Sequence, residues 1–312
     1  PDPSFYRVRG PYRGLRDSLF VYADSNRDAP VGRRTAVTGP WKRWVRFVEL
    51  DGLTEVPRDS TPDGAAPLEA ASWPQVLHGS DVACTWFGAC GQGTTGAGAD
   101  TGVDRFHPEF AGKLLWGKNV TGATLGGPPV DSLDFSDTVA GCNGHGTHTA
   151  SSLAGRTVAM ARDASLVAYR VFAPNPNGCL SYTSAGTLAI LDATRNGLDA
   201  INESIGYNSS AAMGSAVTAA RNAGMVVCGS NGNTGAPGVY APALFADAIA
   251  SAAVDGVGSR APFSTTGPET DFGTAGVNVR GALPGGAYGD KSGTSMGSPF
   301  TCSPFLQLFS TP

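Results

Sequence analysis

At 312 residues, with 41% apolar and only 15% charged side chains, the chain can bury a sizeable core and is too apolar for a solvated, disordered polymer. Its net charge of −4 is uneven: residues 1–60 hold 11 Lys and Arg against 8 Asp and Glu, and the remainder hold 11 against 18. The basic part has no Lys/Arg run and no aromatic–basic repeat, and no apolar stretch approaches the ~20 residues of a membrane helix, so neither a nucleic-acid nor a membrane partner is expected.

In chain order, residues 1–75 are rich in Arg, Pro and Asp and contain one strand-like run, "RWVRFVEL" (43–50). A Pro/Asp/Ala-rich connector, "PRDSTPDGAAP" (57–67), follows it. This part reads as an N-terminal extension or propeptide remnant, and residues 76–312 as the main unit. From about residue 80, short apolar runs alternate with helix-like segments. "SLVAYRVF" (165–172) and "GMVVCGS" (224–230) read as buried strands. "SYTSAGTLAILDATRNG" (181–197) and "SAVTAARNAG" (215–224) read as helices, with Ser or Thr before the apolar pattern and glycine after it. This alternation predicts an α/β fold with a mostly parallel central sheet flanked by helices.

Six cysteines contain no C-x-x-C pair, which disfavours a zinc ribbon or a redox motif. Their even number points to an oxidising compartment, with Cys84–Cys90 the most local pairing and Cys228 a buried thiol in an apolar run.

Two of the four histidines lie in "GCNGHGTHTAS" (141–151). His145 and His148 are three apart with no acid between them, unlike the i, i+4 pair of a zinc-peptidase helix. His78 and His107 lack ligand-like surroundings, so no metal is expected. "KSGTSMGSPF" (291–300) places Ser295 among small residues before Pro299, a segment able to start a helix with an exposed serine near its positive end. "GADTGVDRFHPEFAG" (98–112) offers Asp100 before a Thr-Gly turn. A carboxylate there can hold an imidazole tautomer and stabilise the imidazolium, so Asp100, His145 and Ser295 together satisfy triad logic. His148, one turn on, is expected to pack inside or bond locally.

"ADTGVDRFHPEFAG", "GHGTHTAS" and "SGTSMGSP", in that order, resemble the Asp, His and Ser signatures of the subtilisin-like serine peptidases. "ARDASLVAYRVF", "GLDAINESIG" and "GVNVRGALPGG" resemble that family's connecting strands and loops, and the resemblance spans roughly residues 78–303. The form of "GHGTHTASSLAG" leans toward the subgroup related to plant subtilases. The resemblance implies a subtilisin-like fold and a secreted, monomeric serine endopeptidase acting on protein or peptide substrates through an acyl-enzyme. Asp100 would orient the base, His145 would be general base and then acid, and Ser295 the nucleophile. Asn233, at the end of "MVVCGSNGN", would sit in the oxyanion hole. Ser204, Ile205 and Gly206 would form the edge that pairs with substrate backbone. No cofactor is required; a structural calcium ion, common in the family, is not indicated by "SSLAGRTVAMARDAS" (151–165), which lacks an Asn-rich loop.

Four departures from the family pattern stand out. "TTGAGAD" makes a weak strand before Asp100. Thr274-Ala275-Gly276 replaces the usual Ala-Pro-Gly. Gly297 stands where alanine is usual, and Pro304 interrupts a C-terminal segment with only 17 residues after Ser295. They motivate an alternative: a catalytically impaired relative that binds extended peptides. Asn119, Asn202 and Asn208 begin glycosylation sequons, with that of Asn202 expected to go unused in the strand that edges the substrate.

Overall fold

A computed structural model of the chain describes residues 4–8, 19–23, 45–50, 53–55, 73–121, 133–138, 141–175 and 178–310. The connector 57–67 lies outside them. Strands β1 (Ser4–Val8), β2 (Leu19–Ala23) and β3 (Val45–Leu50) form an antiparallel sheet in that order. β3 falls within the strand expected over 43–50.

β4 (Leu53–Glu55) is followed by α1 (Trp73–His78) and α2 (Ser80–Phe87). The expected boundary at 75/76 falls inside α1, whose side chains are engaged with the unit that follows. The Gln75 side chain donates to the carbonyls of Thr157 and Ala159 at 3.1 and 3.0 Å, and Trp73 packs on a cluster containing Met296 and Phe300.

The elements then run β5 (Thr95–Asp100), β6 (Leu114–Asn119), α3 (His145–Ala154), β7 (Ser165–Arg170), β8 (Phe172–Asn175), β9 (Gly178–Tyr182), α4 (Thr183–Arg195), β10 (Ala200–Glu203), α5 (Ala211–Asn222) and β11 (Val226–Ser230). They continue with β12 (Ile249–Val254), β13 (Phe272–Ala275), β14 (Val279–Leu283), β15 (Ala287–Lys291), α6 (Thr294–Gly297) and α7 (Pro299–Phe309). Seven strands form one sheet in the order β13-β12-β11-β10-β5-β7-β6, every neighbouring pair parallel.

Both faces of this sheet are covered, as parallel strands require. On β7, Val167 and Tyr169 join a core with Ile190 of α4 and Met213 of α5. Leu166 and Ala168 point the other way, to Leu153 of α3 and Leu306 of α7. The helix predicted over 215–224 begins four residues earlier, at Ala211, because Ser210 supplies the N-cap: its Oγ accepts from Met213 N at 3.2 Å.

The glycine–alanine run before Asp100 is a central strand, not a weak margin. β5 is paired on both sides, and the missing side chains are a packing requirement. A Cβ on Gly96 would lie 2.9 Å from Leu306 Cδ1, so a larger residue would force the Leu306 side chain of α7 to shift.

Disulfides join Cys84–Cys90, Cys142–Cys179 and Cys228–Cys302. The local pairing is the expected one. Cys228 is corrected from a buried thiol to a disulfide partner: it lies on β11 facing α7, where Cys302 meets it. Two small sheets complete the fold, β14–β15 and β4-β9-β8, the latter formed when β4 pairs antiparallel with β9.

Candidate active site

Asp100 ends β5 and His145 opens α3. Their side chains meet at 2.7 Å, His145 Nδ1 to Asp100 Oδ1, with both residues buried. The same Asp100 oxygen accepts from Thr101 N at 2.7 Å, and Oδ2 accepts from Thr149 Oγ1 at 3.0 Å. Thr149 lies four residues after His145, hence on the same helix face.

The start of α3 is pulled against the loop after Asp100. Gly146 N donates to Thr101 Oγ1 at 2.8 Å, and a Cβ on Gly146 would fall 2.2 Å from Gly102 O. Only glycine permits that approach.

Asp137 is buried behind this pair. It accepts from Thr101 Oγ1 at 2.8 Å and from Thr147 N and Oγ1 at 2.9 and 2.6 Å, so it caps the first turn of α3. Burial pushes its carboxyl pKa up, opposed by the bonds from Thr147 and Thr101. Nothing in the sequence singled out Asp137, because its partners are set by tertiary contact rather than by spacing.

Ser295 sits in α6, at the end of β10. The expectation of an exposed serine is corrected: Ser295 has no exposed surface, because the chain just past β10 packs against it. Ser295 Oγ donates to Ser204 O at 3.1 Å, and Ser204 Oγ donates back to Ser295 O at 2.7 Å. Behind Ser204, Asn202 Nδ2 donates to Ser204 Oγ at 2.9 Å, and Asn202 Oδ1 accepts from Ser298 Oγ at 2.6 Å. A chain of hydrogen bonds thus runs from Ser298 through Asn202 and Ser204 to Ser295, tying β10 to the segment that carries Ser295. Ser298, one turn after Ser295, carries no sequence signal of this contact, which arises only when that segment packs on β10. Asn202 and Asn119 are buried, whereas Asn208 is exposed.

Asn233 lies beside Ser295. Its Oδ1 accepts from Thr294 N and Thr294 Oγ1, both at 2.9 Å, which fixes the amide plane and turns the NH₂ away from Thr294. Asn231 is instead fully buried and donates to Thr270 Oγ1 at 2.7 Å. Ile205 belongs to the core between the sheet and α4, and a Cβ on Gly206 would meet the Tyr240 ring at 3.1 Å.

Two of the departures prove to be one. A Cβ on Gly297 would lie 2.5 Å from Thr274 Oγ1, and Thr274 is bonded to Ser251 Oγ. Threonine at 274 occupies the space an alanine methyl at 297 would need. α7 runs through Pro304 to Phe309 and is anchored besides Cys228–Cys302: Ser303 Oγ donates to Leu153 O at 2.8 Å, and Gln307 Nε2 donates to Ser80 O and Met160 O, both at 3.2 Å.

The other histidines have structural settings. His148 is fully buried and donates from Nε2 to Val279 O at 3.0 Å. This bond reaches 131 residues along the chain rather than locally. Burial, with the Lys291 charge, brings its pKa down to about 3, so it is neutral. His107 accepts from Glu109 N at 3.1 Å and bonds Ala287 O at 2.9 Å; His78 accepts from Ala275 N at 3.3 Å. A cleft of about 540 Å³ opens next door, lined by Val103, Phe106, Phe135 and Pro284 among others. Asp100, His145 and Ser295 do not line it.

Residues 91–310 match the model of the subtilase family. The chain belongs to the subtilase family. It is 37% identical over 219 residues to subtilisin-like protease 3 of Arthroderma benhamiae, covering 69% of this chain and 52% of that protein. It is 33% identical over 262 residues to subtilisin-like protease 1 of Pseudogymnoascus destructans, covering 82% of this chain and 61% of that protein. This subtilase thus spans roughly half to three-fifths of the length of these curated relatives, and both are fungal. The crystal structure of a cold-adapted subtilisin-like serine proteinase superposes with a TM-score of 0.61 at 29% identity, covering 71% of this chain and 78% of that one. The α/β subtilisin-like fold expected from the sequence is the fold of this subtilase.

Proposed function

We propose that this subtilase is a serine endopeptidase that hydrolyses peptide bonds through an acyl-enzyme. The observation that carries the reading is the Asp100 carboxylate: three donors fix it, and one of them is His145 Nδ1 at 2.7 Å. That bond dictates the imidazole tautomer, leaving Nε2 to take a proton from Ser295 Oγ as it attacks the substrate carbonyl. The proton then passes to the leaving amine, and water repeats the sequence to free the acid. Asn233 Nδ2 and the Ser295 N–H would hold the oxyanion.

Substrates are proposed to bind as extended strands along Ser204–Gly206 and β9. Support comes from β4, an extended piece of this same chain that pairs antiparallel with β9, Leu53 opposite Tyr182 and Glu55 opposite Leu180. Strand addition of this kind takes its affinity from main-chain bonds. Residues 1–75 are read as an N-terminal extension of the peptidase unit, and secretion as a monomer completes the proposal. The disulfides suit an oxidising compartment, and no described helix is long and apolar enough to cross a membrane. The fungal relatives give no support to the narrower plant-related subgroup.

Fluorophosphonate labelling followed by mass spectrometry tests the reading, with Ser295→Ala as control. One adduct on Ser295, absent from the control, is expected. Folded protein that takes no label would replace the peptidase with a non-catalytic peptide binder.

A further inference from the structure

Glu203, the last residue of β10, has no exposed surface, and neither carboxyl oxygen has a hydrogen-bond partner. Strand alternation sets it on the face of Ile201, whose side chain lies in the apolar core beneath α4 and α5. A buried, unpaired carboxylate is among the costliest groups a core can hold, and it is relieved by keeping the proton. Burial first, and the charge of Asp100 second, push the Glu203 pKa from 4.5 up to about 8.

The position matters for the site. Glu203 precedes Ser204, whose carbonyl and hydroxyl both bond Ser295. On the adjacent β5, the register pairs Asn202 with Gly98, which brings the end of β10 alongside Asp100. One residue thus adjoins the supports of both the base and the nucleophile.

Among the described residues, no other charge faces it. β11 offers only Cys228, which is in a disulfide, and α7 has no titratable side chain. On α4, Asp192 is taken by Lys118 and Tyr169, and Arg195 is exposed. On α5, Arg221 pairs with Asp247 at the surface.

We propose that Glu203 is a positioning residue whose neutral acid keeps Ser204 and Asp100 in place, and that losing its proton sets the alkaline limit of the peptidase. The activity part rests on the peptidase reading above. An anion at this point would be uncompensated, and β10 would have to shift or admit water, carrying Ser204 with it. The sign follows from linkage: a group protonated in the fold and ionised when unfolded stabilises fully below about pH 4.5. That contribution is lost as the pH rises through about 8.

The test compares wild type, Glu203→Gln and Glu203→Met in kcat/KM on a peptide substrate and in Tm, both from pH 5.5 to 10. Above its limb the wild type is expected to lose about tenfold in rate per pH unit. Both variants should stay within about twofold of their neutral rate to pH 9, and their Tm should not share the wild-type decline. Lys113, whose own pKa burial brings down to about 8, is the control, and Lys113→Met should keep the wild-type limb. An unchanged limb and Tm decline in Glu203→Gln, or a limb removed by Lys113→Met instead, overturns the proposal. Met fills the site with an apolar chain of similar reach should Gln fold poorly. If wild type neither turns over nor takes the fluorophosphonate, the peptidase reading fails by itself, and the Tm curves still decide whether Glu203 is the alkaline trigger.

Discussion

Asp100 and His145 are held by a buried carboxylate that accepts from Thr101 N, His145 Nδ1 and Thr149 Oγ1, all near the start of one helix. Ser295 is held differently, by neutral bonds to Ser204, which Asn202 and Ser298 back in turn, and by a helix stapled to β11 through Cys228–Cys302. The first half depends on one ionised group, so a single change can undo it. The second spreads its support over several weaker bonds and a covalent link, so individual losses are partial. Charge-assisted bonds are roughly twice as strong as neutral ones, which is why the two halves should respond unequally to mutation.

The largest effect is expected on the histidine half. Asp100→Asn keeps the shape but lets the amide bond the wrong imidazole tautomer, and turnover should fall by about 10⁴ with KM little changed. Steady-state kinetics beside circular dichroism checks this; a loss under tenfold would show that the carboxylate is not what orients His145. On the serine half, removing Cys228–Cys302 with a double Ala substitution should lower stability by about 2–5 kcal/mol. Denaturant unfolding measures it, and the variant should still label at Ser295 under native conditions.

The finest probe is the coupled pair behind Ser295. Gly297→Ala alone should cost about 1–3 kcal/mol through overpacking against Thr274. Adding Thr274→Ala should return most of that, and additive losses would show that the two sites do not share their space.

Much of this was legible in the chain. Asp100, His145 and Ser295 carry short, glycine-flanked signatures, and α4 and β7 follow ordinary apolar periodicity. The departures were visible too, but each could be seen only as a local loss. Gly96 weakens a strand by propensity and yet makes room for Leu306; Gly297 weakens a helix and yet makes room for Thr274. Propensity is a property of neighbours in sequence, whereas these glycines answer to neighbours in space. The same holds for Cys228, an apolar-run cysteine until Cys302 arrives from α7, and for the start of α5, set by the Ser210 cap rather than by Ser215.

The sequence by itself determined which chemistry-bearing residues the chain owns, their order, and the alternation that makes a parallel α/β sheet, because side-chain type and period are local properties. The tertiary structure decided what each of them touches. It set Asp137 under the α3 terminus, ran the Ser298–Asn202–Ser204 bonds behind Ser295, laid β4 along β9 and sealed Glu203 away from water. Those outcomes depend on packing between segments far apart in the chain, where burial and hydrogen-bond partners first become defined.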